Sequence, residues 1–173
     1  MITYVLALLR IWFDIIRLRK GPDAVPRSPV VFALAVALWL ASGITLVLMF
    51  ERFDMKDFIV GVLTSVIGLV CYAAILNLFA RAERLLQTLS AIIGCGALLT
   101  IAFAAGSVLL TPLVGAGLTG NIVFLVLLWS VPVEGHIISR AIDRHFLLGL
   151  VFALAVLFLQ LYVDQVVNPL EAY

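Results

Sequence analysis

The chain has 173 residues, of which 65% are hydrophobic and 12% charged, and a formal net charge of +1. Ordinary soluble domains carry about 25% charged residues, so too little polar surface is left here to cover a globule. The composition excludes a soluble domain and a disordered chain, and the charge excludes a nucleic-acid binder that relies on bulk positive charge. The sequence predicts an all-α polytopic membrane protein in two parts. Residues 1–29 form an amphipathic interfacial helix and a proline-rich corner, and residues 30–173 a domain of five transmembrane helices.

Met1 to Arg19 is apolar over most of its surface, but Thr3, Arg10, Asp14 and Arg17 fall on one narrow helical stripe. Positive charge comes late, at Arg17, Arg19 and Lys20, and no small-residue cleavage site follows, so a signal peptide is not expected. The expected element lies flat at the inner leaflet. Arg10, Arg17, Arg19 and Lys20 meet anionic lipid, Trp12 sits at headgroup depth, and Asp14 pairs with Arg10 one turn away. Pro22, Pro26 and Pro29 then forbid a continuous helix, and Ser28 reads as the N-cap of the first span with Pro29 at its first position.

Five apolar runs follow, at residues 30–50, 58–80, 89–111, 121–138 and 146–163. Each approaches the roughly 20 residues that a helix needs to cross hydrocarbon. The connections between them are short, so neighbours must pack antiparallel. With a cytoplasmic N-terminus, Arg10, Arg17, Arg19, Lys20, Arg27, Arg81, Arg84, Arg140 and Arg144 fall on the inner side. Only Arg52 and Lys56 fall on the other, together with the acidic Asp164 and Glu171. This bias predicts a cytoplasmic N-terminus and a periplasmic C-terminus.

Gly115-Ala116-Gly117-Leu118-Thr119-Gly120 matches a dinucleotide fingerprint but joins two apolar runs, where the required strand and acidic partner are missing. Residues 112–120 are expected to form a flexible turn. Small residues at Gly61, Ser65 and Gly68, around Gly94 and Gly96, and at Ala41 to Gly43 predict close helix packing. Cys71 and Cys95 lie inside apolar runs as reduced packing residues. No metal-ligand spacing, cofactor motif or nucleophile-plus-base set appears.

Polar groups inside the spans are few: Asn77, Glu134, His136 and Gln160. Glu134 and His136, two residues apart, point to nearly opposite sides of a helix that Pro132 can kink, and His136 aligns with Arg140. Glu134 has no opposite charge one turn away, and Arg81 and Arg84 of the second connection are its expected partners. Glu134, His136, Arg140, Arg81 and Arg84 thus form the candidate functional or tether cluster. Loss of the Glu134 carboxylate is expected to harm the protein more than loss of Glu171. An alternative places Glu134, His136, Asn77 and Gln160 along a wet cleft of a transporter-like or lipid-handling subunit.

Five spans with short connections, the stretch Arg19-Lys20-Gly21-Pro22-Asp23-Ala24-Val25-Pro26-Arg27-Ser28-Pro29 and the stretch from Trp129 to Ile142 resemble short bacterial members of the Yip family of Ypt/Rab-interacting membrane proteins. The resemblance implies a non-enzymatic inner-membrane protein that binds or organises other membrane components, through a protein partner or by self-association. It carries over no catalytic residues.

Overall fold

The computed structural model describes residues 2–49 and 55–167. Helix α1 spans Ile2–Ile16, α2 Pro29–Met49, α3 Met55–Leu78, α4 Leu85–Val114, α5 Ala116–Leu128, α6 Ser130–Ala141 and α7 Phe146–Val167. Among the described residues, α2, α3, α4, the consecutive pair α5–α6, and α7 are the five helices long and apolar enough to cross a membrane. The protein is an all-helical, multi-pass membrane protein preceded by an N-terminal helix. Arg52 and Glu171 lie outside the described residues.

Three helices end at the same, arginine-rich end of the bundle, and all three end alike. After α1, α3 and α6 the chain turns through Leu18, Ala80 and Asp143, each with a positive φ between 53° and 59°. The next residue is an arginine whose backbone N–H closes the helix: Arg19 donates to Asp14 O at 2.9 Å, Arg81 to Leu76 O at 2.8 Å, and Arg144 to Ser139 O at 2.9 Å. This left-handed cap normally takes glycine, and each non-glycine residue there costs roughly 1–2 kcal/mol. Cations at helix C-termini offset part of that cost by meeting the negative ends of the helix dipoles. Much of the charge bias read from the sequence is therefore built into helix termination. We refer below to this end as the basic end.

Helix α4 is the axis of that end. Its residues from Gln87 to Cys95 are all buried, so neighbours cover it on every side, whereas its far half is largely exposed. The proline corner is latched onto it. Arg27 Nε donates to Gln87 Oε1 at 2.8 Å, and Gln87 Nε2 donates to Val25 O at 2.8 Å. Ser28 caps α2 by accepting from the Val30 N–H at 3.3 Å, with Pro29 as the first helical residue, as its sequence predicts.

Three expectations need correction. Trp12 is not at a headgroup surface: it is 2% exposed, with its ring packed where a Gly94 Cβ would stand. Gly94 lies nine positions inside α4, about 14 Å from that helix's start. Helix α1 does have an apolar side, Leu8, Trp12 and Ile15, opposite the Arg10–Asp14–Arg17 stripe, but protein covers it. Arg10, Arg17, Arg19 and Lys20 are exposed as expected. Asp14, however, pairs with Lys20 at 2.8 Å instead of Arg10, and Lys20 holds its carboxyl below the ordinary carboxylate range. Nor do residues 112–120 form a loop. Helix α4 runs through Pro112 to Val114, and α5 starts at Ala116, leaving Gly115 with φ of 80° as the whole connection. One residue in the left-handed region suffices, and glycine is the residue that adopts it freely.

Close approach also governs α6 and α7. A Cβ at Gly135 would stand 2.9 Å from Leu150 Cα, and one at Gly149 would collide with the Gly135 carbonyl oxygen. These two helices meet backbone to backbone, the geometry small residues permit. Cys71 and Cys95 are free thiols, and the Cys95 S–H donates to Trp12 O at 3.6 Å.

The Trp12–Gly94 contact gives a direct prediction. Gly94→Ala should displace the indole and destabilise the fold by about 1–3 kcal/mol, as overpacking does. Gly96→Ala, where a Cβ meets nothing within 4 Å, should be near neutral. Thermal unfolding in detergent, with tryptophan emission shifting to the red only for Gly94→Ala, checks both.

Candidate functional site

The residues grouped by the sequence separate into an interior pair and a basic-end network. Glu134, on α6, faces α3, where the Tyr72 hydroxyl donates to Glu134 Oε2 at 2.5 Å. His136 faces the other way, its Nε2 3.0 Å from Lys20 O; since a carbonyl only accepts, Nε2 is the donor. The two residues thus lie on opposite sides of α6, as their spacing predicts.

The expected pairing of Glu134 with Arg81 or Arg84 does not form. Both arginines are taken by Asp143, whose Oδ2 meets Arg81 at 2.8 Å and whose Oδ1 meets Arg84 at 2.9 Å. Arg84 also donates to the Arg140 and Ala141 carbonyls at 3.2 and 3.1 Å, capping α6. The arginines stay at the bundle end with exposed acceptors, while Glu134 lies deeper among apolar helices. A neutral hydroxyl from a neighbouring span reaches it where a loop arginine does not.

Glu134 and Tyr72 line a cavity of about 140 Å³ together with Trp39, Ser65, Thr100 and Gln160. Gln160 enters over Gly68, where a Cβ would come within 2.6 Å of its amide nitrogen, and donates to Thr64 O at 3.1 Å. Trp39, Ser65 and Thr100 also line a neighbouring cavity of about 190 Å³ between α2 and α3, which reaches Leu46, Phe58 and Asp57. The two cavities adjoin at these three residues, as two separate chambers of a cleft. Asp57 and Tyr72 are fifteen positions apart on α3, about 22 Å along its axis. The cavity beside Glu134 carries Ser65, Thr100 and Gln160, and the one between α2 and α3 is mainly apolar, with Leu46, Phe58 and Val62 beside Ser42. Gly61 opens onto it without a side chain.

Of the four polar residues proposed for a wet cleft, the structure brings Glu134 and Gln160 together. Asn77 is exposed and donates to Ala73 O at 2.9 Å, and His136 belongs to the basic end. The sequence reading missed Tyr72, Trp39 and Thr100 as cleft residues, and Asp143 as the anchor of Arg81 and Arg84. Asp143 is visible as a charge in the sequence, but it stands beside Arg140 and Arg144, about sixty positions from the arginines it anchors. Tyr72 carries no such signal.

The helix containing Glu134 loses one hydrogen bond just before it, because Pro132 has no N–H to offer the Leu128 carbonyl; Trp129 keeps helical dihedrals, so the helix continues past this point. Glu134 follows this point by about one turn. The Trp129 indole donates to Ile16 O at 3.0 Å and ties the helix there to the end of α1.

Comparison of the chain with protein-family models, with curated proteins and with solved structures finds no match.

Two outcomes test this geometry. Tyr72→Phe should leave the carboxylate without its donor and cost about 1–3 kcal/mol, whereas the same change in a Glu134→Gln background should cost less. Equal costs in the two backgrounds, measured by thermal unfolding, would show that the bond contributes nothing. For Asp143, the Arg84 hydrogen bond and the attraction of both arginines hold the carboxyl below its ordinary range. A depressed folded pKa stabilises the fold above the unfolded value near 4, and that contribution vanishes as pH falls through the folded value. The Tm gap between the wild type and Asp143→Asn should be open at about pH 6 and narrow as the pH falls below about 4.

Proposed function

We propose that this chain is a non-enzymatic integral protein of a bacterial inner membrane, Yip-like in kind, that binds or organises other membrane components. The basic end and α1 face the cytoplasm beside the anionic inner leaflet, and α7 ends on the periplasmic side. The observation that carries this reading is the pair of adjoining cavities from Asp57 to Glu134, mainly apolar at the Asp57 end and more polar beside Glu134. Such a cleft suits an amphiphilic component, a lipid or a partner helix, whose polar group meets Ser65, Thr100 and Glu134. The charge bias supports the orientation.

Gentle extraction of the full chain should bring a bound membrane component with it. Ser65→Phe, which fills the shared wall of the two cavities, should reduce its retention severalfold at unchanged Tm. A bare protein, or retention indifferent to Ser65→Phe, would refute the reading.

A second reading, a transporter-like or lipid-handling subunit, is favoured by Pro132, which removes a backbone hydrogen bond from the span beside Glu134. Reconstituted vesicles distinguish the two: lipid exchange between leaflets, slowed by Ser65→Phe, is expected only of the second.

A further inference from the structure

At the basic end a groove of about 490 Å³ lies between the end of α6, the start of α7 and the turn after α1. It is lined by Leu18, His136, Ser139, Arg140, Asp143, Arg144 and Phe146. The cations and anions there do not cancel. Both Asp143 oxygens are occupied, by Arg81 and Arg84. Among the described residues no carboxylate pairs with Arg140 or Arg144. Arg144 instead stands over the Phe79 ring at 5.9 Å, and Arg140 is exposed. The His136 Nε2–H is spent on Lys20 O, and the Ser139 hydroxyl donates to His136 O at 2.9 Å.

Arg140 also lines a second hollow, of about 370 Å³, on its other side. That hollow adds Arg27 and Arg84, opposed by Asp23. Both hollows are walled by rigid backbone. The Arg144 N–H closes onto Ser139 O at 2.9 Å, and Gly21 packs where a Cβ would sit 3.3 Å from Arg140 Cβ. Two arginines are thus fixed four residues apart around a capped helix end, beside the apolar side chains Leu18 and Phe146.

We propose that this groove binds the phosphate of an anionic phospholipid. Arg140 and Arg144 hold the phosphate oxygens, and Leu18 and Phe146 meet the glycerol and the first acyl carbons. Guanidinium groups suit phosphate because their N–H donors are arranged to meet two oxygens together. The apolar pair beside them favours a lipid phosphate over a free one. The site is separate from the Glu134 cleft and stands or falls independently of it.

Native mass spectrometry of the full chain in detergent, titrated with phosphatidylglycerol or phosphatidylcholine, tests this. Each arginine near an anionic headgroup is worth about fivefold in affinity. Phosphatidylglycerol should bind more tightly than phosphatidylcholine. Arg140→Gln, at an exposed residue without a carboxylate partner, should weaken it about fivefold, and Arg140→Gln with Arg144→Gln should abolish the preference. Lys56→Gln, an exposed cation at the opposite end of the bundle, should leave it unchanged. Inorganic phosphate at millimolar concentration should not displace the lipid. Equal binding of the two lipids, or equal loss with Lys56→Gln, would overturn the site. Displacement by inorganic phosphate would overturn the lipid assignment.

Discussion

A carboxylate inside an apolar bundle must find a donor, and that requirement organises the interior of this protein. Glu134 meets it through the Tyr72 hydroxyl, which fixes α6 against α3 with one short bond. The surroundings are consistent with the same demand. Gly68 has no side chain, so Gln160 can cross from α7 and bond Thr64. Ser65 and Thr100 keep the wall beside the carboxylate small. Filling this space with larger apolar groups would bury the polar atoms without partners, a costly arrangement in a membrane interior. The cleft is thus tied to the placement of a single acidic residue.

Around this interior, small residues determine how closely the helices approach. Gly94 admits Trp12, which holds α1 on α4, and Gly135 and Gly149 bring α6 and α7 into backbone contact. The basic end is held differently. There Asp143 gathers Arg81 and Arg84, Gln87 latches the proline corner, and three arginine N–H groups close three helix ends. These polar contacts order the surface on which Arg140 and Arg144 are presented. Packing sets the spans, and hydrogen bonding sets their connections.

The spans were legible in the sequence because length and absence of charge are the physical requirements for crossing hydrocarbon. The Ser28 cap and the opposed directions of Glu134 and His136 were legible for the same reason, since local geometry alone fixes them. What covers an apolar face was not. The period that marks Leu8, Trp12 and Ile15 as one side of α1 is the same whether lipid or Gly94 lies opposite. The partner of Glu134 was sought among charges, but a tyrosine hydroxyl sixty-two positions away leaves no charge pattern to follow. Gly115 was read as part of a longer turn because its neighbours Gly117 and Gly120 look equally permissive, although they are helical.

The central claim is that adjoining cavities sharing Ser65 and Thr100 reach Glu134 from the Asp57 end, and thiol accessibility tests it most directly. In a chain with Cys71 and Cys95 replaced by alanine, cysteines are placed singly at Ser65, Thr100 and the outward-facing Ala74 of α3. A small hydrophilic thiol reagent should modify the cysteines at 65 and 100 and leave the one at 74 untouched. Protection at both 65 and 100, or equal reaction at 74, would contradict the account.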